Sequence, residues 1–146
     1  MPKLFRITII TLRIALGGLF IYGGIQKFIP KPAQPQTEAA AELPPHVVKI
    51  QAYINGLKQT EYFWPMLGVV ELVGGILLIS QYLSLLGAVL LLPITFNIFM
   101  FHAFLTPHET GEVVMTILYL LVNILIIVWH YPRLKPVFLN FKSIYR

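Results

Sequence analysis

Arg13, Lys27 and Glu71 each lie inside a long apolar run of this sequence, and Asn97, His102 and Asn123 lie inside two others. An ionisable group in hydrocarbon costs roughly 2.5–3.5 kcal/mol even on lenient insertion scales. Such a group therefore turns toward a partner or a polar cavity, where function is first sought. Two opposite charges meeting there can hold helices in register, bind a ligand or relay protons. We expect Arg13 to pair with Glu71, with Asn97 or Asn123 completing the hydrogen bonds. Lys27 is the alternative partner for Glu71, unless it snorkels outward. These six residues are the candidates for a ligand site or polar pocket.

Other chemistries are excluded or poorly supported. The chain has no cysteine, so paired-thiol redox relays and thiolate metal sites are impossible within it. His102, His108, Glu109 and Glu112 resemble a metal cluster at first sight, but they lack H-x-x-x-H or H-E-x-x-H spacing. Glu109 and Glu112 are better explained by the start of the last span, with Thr110 as its N-cap and Glu112 in its first turn. No metal site is expected. Nothing resembles a phosphate loop, a nucleophile elbow or a carboxylate pair. No intrinsic cofactor and no self-contained catalytic motif are expected.

The elements that must position these residues are membrane helices. Only 12% of the 146 residues are charged, 57% are hydrophobic and the mean hydropathy is +0.75. Soluble domains carry about 25% charged residues. Four apolar runs, at about 7–28, 63–80, 83–105 and 113–130, are near the roughly 20 residues that cross a hydrocarbon core about 30 Å thick. The second is at the short end of that range. The first is too long for a signal-peptide core and contains Arg13. Ser80, Gln81 and Tyr82 alone join the second and third spans, which must form a tight hairpin. The fold expected is all-α, a single domain made of an integral membrane four-helix bundle.

The first loop has two parts. Pro30 to Glu38 is Pro-rich and expected to be irregular. After Pro44 and Pro45, the apolar residues Val47, Ile50, Ile54 and Leu57 recur at helical spacing, predicting an amphipathic helix on the membrane surface or capping the bundle. Pro65 suits a helix's first turn. Pro93, mid-span, frees the Val89 carbonyl one turn from Asn97.

Helical spacing also orients the charges. Arg13, Gly17, Gly24 and Lys27 share a stripe of the first span, and Gly68, Glu71 and Gly75 share a face of the second. Small residues mark where membrane helices approach closely, so both charged stripes should face inward. Glu71, Asn97 and Asn123 fall near mid-span, while Lys27, Gln26 and His102 form a layer nearer the outer surface. Trp64, Tyr62, Trp129 and Tyr131 sit at span ends, as an aromatic belt requires. Lys3 and Arg6 precede the first span, and Arg133, Lys135, Lys142 and Arg146 follow the last. The positive-inside rule then places both termini in the cytoplasm and the first loop outside. This accounts for the net charge of +5 without nucleic acid.

Three segments together resemble a known family. Leu12-Arg13-Ile14-Ala15-Leu16-Gly17 and Tyr22-Gly23-Gly24-Ile25-Gln26-Lys27-Phe28 look like the first helix of the DoxX family, and Glu71-Leu72-Val73-Gly74-Gly75-Ile76-Leu77-Leu78 looks like its second. The family often has a Gly and a basic residue before its third helix, where this chain has Ser80-Gln81-Tyr82. The resemblance implies a multi-pass protein of the bacterial cytoplasmic (inner) membrane. Relatives include a subunit of thiosulfate:quinone oxidoreductase and partners of redox-stress enzymes. A membrane subunit or accessory factor of a quinone-linked redox complex is the leading expectation, with quinone as ligand and oxidoreductase partners or a homo-oligomer in the bilayer. A small-solute transporter or channel, and a structural assembly factor, are the alternatives.

Overall fold

The structure is a computed structural model and describes residues 3–30 and 43–132. The Pro-rich stretch up to Glu42 and the basic tail from Arg133 lie outside the described residues. Five helices follow in order: α1 (Lys3–Gln26), α2 (Pro45–Gln59), α3 (Phe63–Ile79), α4 (Ser84–Leu105) and α5 (Thr110–Trp129). Among the described residues, α1, α4 and α5 are long and apolar enough to cross a membrane alone. The fourth member of the bundle is α3, with 17 residues, a length of about 25 Å. It follows α2 through a bend of 89°. Thr110 is the first residue of α5, and the cap position falls on Glu109, without a side-chain cap bond. This shifts the expected start by one residue.

Each of α1, α3, α4 and α5 touches two of the others in the ring α1–α3–α4–α5. Lipid tails are as apolar as leucine, so burial of apolar area does not drive membrane helices together; close van der Waals contact does. The α1–α3 seam is built that way. A Cβ at Gly24 would stand 2.8 Å from the Gly68 carbonyl oxygen, and one at Gly75 would stand 2.7 Å from that of Gly17. Only hydrogen fits between the backbones at these crossings. Between α3 and α4, a Cβ at Gly87 would lie 2.8 Å from the Gly74 carbonyl oxygen. The core that fills the bundle is Leu16, Phe20, Leu78, Ala88, Leu91, Ile94 and Ile126. Large apolar residues such as Ile14, Ile76, Leu121 and Val128 point outward, which suits a hydrocarbon solvent.

The amphipathic helix is α2. Its partly buried residues are His46 and the four apolar positions anticipated from spacing, Val47, Ile50, Ile54 and Leu57; none is fully buried. It packs across α3 and α4 and so caps one end of the bundle.

Candidate functional site

A cavity of about 460 Å³ lies between the end of α1, α2, α3 and α4. Ile54, Leu57, Leu67, Val70, Ile94 and Ile98 make most of its wall apolar. Lys27, Tyr53, Trp64, Glu71, Asn97 and His102 bring polar atoms to it. Met66, Pro93, Asn97 and Tyr53 are exposed, whereas Glu71 is only 3% exposed. The cavity is therefore bordered by exposed residues of α2, α3 and α4 and ends at a buried carboxylate.

That carboxylate pairs with Lys27 and not with Arg13. Lys27 Nζ donates to Glu71 Oε2 over 2.5 Å, and the pair is nearly enclosed. Lys27 follows the last residue of α1, and its side chain runs back along the final turn, with Nζ 3.4 Å from the Gly23 carbonyl oxygen. The glycine contacts explain why Arg13 cannot compete. Gly17 meets Gly75 and Gly24 meets Gly68, which fixes the antiparallel register. In that register Gly75 also meets Ile21, and Gly17 meets Ile79. Glu71 thus stands near the level of Ile21, and Arg13 near the end of α3, about 12 Å away along the axis. The expected Arg13–Glu71 pair is corrected accordingly. The Nε atom of Arg13 is buried and has no hydrogen-bond partner among the described residues.

Asn123 is corrected as well, because it lies on the far side of α4 from the cavity. Its amide is fully buried, with Thr95 Oγ1 3.0 Å away. With its nitrogen donating to the Ala88 carbonyl oxygen at 3.0 Å, its oxygen accepts from the Thr95 hydroxyl at 3.0 Å and the Leu92 N–H at 3.2 Å. This inserts an α5 side chain into the α4 hydrogen-bond ladder one turn before Pro93, where that ladder is already a donor short. Asn123 joins α4 to α5 and is not among the residues that line this cavity.

Asn97 and His102 do reach the cavity. Asn97 accepts a hydrogen bond from the Tyr53 hydroxyl of α2 at 3.0 Å. His102 Nδ1 lies 2.9 Å from Glu112 Oε2 and 3.1 Å from Thr106 Oγ1. Of the six sequence candidates, four share one cavity and two stand apart. The spacing argument did not identify Tyr53 or Trp64. Tyr53 borders the apolar stripe of α2, which was the available signal. Trp64 reads as an interfacial anchor, yet both Lys27 and Lys58 hold their ammonium groups over its ring, at 5.4 and 5.2 Å from the centroid. No group of three or more His, Cys, Asp or Glu side chains suited to a metal ion occurs among the described residues.

The sequence model of the DoxX family matches residues 8–103, from early α1 to near the end of α4. The chain belongs to the DoxX family. No curated protein and no solved structure matches it. The DoxX match spans Lys27, Glu71, Asn97 and His102, and it stops before α5, which carries Glu112 and Asn123.

Proposed function

We propose that this DoxX-family protein is a small membrane subunit or accessory factor of a quinone-linked redox complex in the bacterial cytoplasmic membrane, with partner proteins carrying the redox centre. The observation that carries this reading is the cavity, largely apolar in its wall, bordered by exposed residues of α2, α3 and α4 and ending at the buried Lys27–Glu71 pair. A wall this apolar, in a bundle of membrane helices, suits a lipid-soluble ligand. Its volume lies in the range of small-molecule sites, roughly 300–1,000 Å³. A quinone ring offers two acceptor oxygens, and the wall carries the Lys27 ammonium and the amide NH2 of Asn97, whose oxygen already accepts from Tyr53, as donors set at separate places. The apolar side chains suit the ring and its tail.

The chain has no cysteine, so electron transfer through paired thiols falls to a partner. The transporter reading has Arg13 and Glu71 lining one path; Glu71 lines this cavity and Arg13 is not among its lining residues. The test is purification from native membranes under mild conditions. Copurification of an oxidoreductase together with a quinone, detected by mass spectrometry, is expected. A pure chain carrying neither sinks the proposal. We place both termini in the cytoplasm and the first loop outside, on the strength of the flanking basic residues. Reporter fusions after Arg146 and within Pro32 to Glu42 should give opposite responses. The same response from both would overturn that topology.

A further inference from the structure

We infer that His102 is the proton-accepting base of the cavity, positioned by Glu112, and that it serves a ligand bearing an aromatic hydroxyl. This deepens the reading of the cavity as a site for a lipid-soluble ring and rests on it.

The inference starts from hydrogen-bond bookkeeping. A carboxylate only accepts, so the 2.9 Å contact of Glu112 Oε2 with His102 Nδ1 requires the proton on Nδ1. Thr106 agrees: its hydroxyl donates to the His102 carbonyl oxygen at 3.3 Å, which leaves its oxygen to accept from the same Nδ1–H at 3.1 Å. Two acceptors thus fix one tautomer, and the neutral ring keeps its lone pair on Nε2. His102 lines the cavity, and Nε2 is the nitrogen it has left to offer. A carboxylate behind an imidazole also holds the ring in one orientation, with the second nitrogen presented to a ligand.

The two residues come from different elements, α4 and the first turn of α5, and they differ in exposure. The His102 side chain is 21% exposed and that of Glu112 is 54% exposed. Together they reach from the cavity wall to the bundle surface. The other titratable groups on the elements around them are Lys27 and Glu71, already paired, His46, Lys49, Tyr53 and Lys58 on α2, His108 and Glu109 on the α4–α5 turn, and Tyr119 on α5. His46 and His108 are engaged with each other, ring centroids 4.4 Å apart. The step is a proton transfer without oxidation. The ligand's O–H bond breaks, its electron pair stays on oxygen, and an N–H bond forms at Nε2. The imidazolium is held by Glu112, from which the proton can leave to water.

The test uses the full chain in nanodiscs with an alkyl-substituted 4-nitrophenol, whose anion is seen by its visible absorbance. The wild type should bind the phenol and lower its half-ionisation point by roughly one pH unit relative to protein-free nanodiscs, as a neighbouring cation does. H102Q should bind it and abolish the shift. E112Q, altered on the exposed side, should bind it and lose most of the shift. If H102Q does not fold, E112Q decides alone. Binding with a shift that survives both substitutions overturns the role of His102 and points to Lys27, leaving the cavity reading intact. No binding by the wild type overturns both readings.

Discussion

The two long faces of α3 are built differently. Against α1, glycine meets glycine at two crossings, Gly17 with Gly75 and Gly24 with Gly68, so the seam is closed along its length. Against α4, the glycine contact occurs at one end, where Gly74 meets Gly87. Toward the other end, Leu67, Val70, Ile94 and Ile98 face a cavity instead. Small residues along the whole seam leave no room for a ligand; small residues at one end only leave the other end open. The Lys27–Glu71 pair sits where the two faces meet. It is anchored by the closed seam and forms the inner end of the open one.

The largest effect expected from breaking this arrangement is at the ion pair. Lys27→Met strands a carboxylate that is only 3% exposed, and Glu71→Gln strands the ammonium. Breaking a buried pair typically costs about 3–5 kcal/mol, most of it from the orphaned charge. The double variant should regain much of that loss, as read by thermal unfolding in detergent across the mutant cycle. Equal and additive losses would show that the two groups do not hold each other.

A smaller effect tests the closed seam itself. Gly75→Val places branched carbons against the Gly17 carbonyl oxygen and must move one backbone, at about 1–3 kcal/mol for overpacking, or more if α1 cannot yield. Gly18→Val, one residue away from the seam in α1, meets nothing within 4 Å and should be close to neutral in the same assay. If both tolerate valine equally, the glycine contacts are not what holds α1 to α3.

The open side should be softer. Tyr53→Phe removes one hydrogen bond, that to Asn97, between the cap and the bundle. A net loss of about 0.5–1.5 kcal/mol is expected. Since α2 has no buried residue, the loss should appear as faster amide exchange confined to α2, with α3 and α4 unchanged. Exchange that quickens across all helices alike would show that α2 is part of the bundle's core cooperativity.

Much of the fold was legible because lipid enforces it. Apolar runs gave the spans, and the spacing of Val47, Ile50, Ile54 and Leu57 gave the cap, since a helix shows its buried face by period. The glycine stripes correctly said which faces of α1 and α3 meet. What they could not supply was register. A stripe is invariant to sliding one helix along another, and one helical turn of slide changes which charges are level. Glu71 therefore had two plausible partners, and the reach of a lysine from beyond the helix end was underestimated. Asn123 was misplaced for a similar reason: a polar residue at mid-depth fits a cavity or a helix–helix contact equally well, and only the ring order of helices decides. The His102–Glu112 contact joins α4 to α5 across a turn, and sequence spacing alone did not indicate that their side chains would meet.

Arg13 gives the smallest expected effect and separates the two registers most cleanly. Had it paired with Glu71, replacing both would cost less than the sum of the single losses. The Gly17–Gly75 contact instead puts it near Ile79, about 12 Å along the axis from Glu71. Groups more than about 7–10 Å apart without shared partners combine additively, within about 0.3–0.5 kcal/mol. Arg13→Gln and Glu71→Gln should therefore show no coupling in detergent unfolding, while Lys27→Met and Glu71→Gln couple strongly in the same assay. The contrast between the two cycles carries the result, because both share the Glu71 variant and any general softening of α3 enters both alike. A coupling at Arg13 as large as that at Lys27 would mean that α1 slides by about two turns relative to α3. The glycine contacts would then have to be redrawn along with the pair.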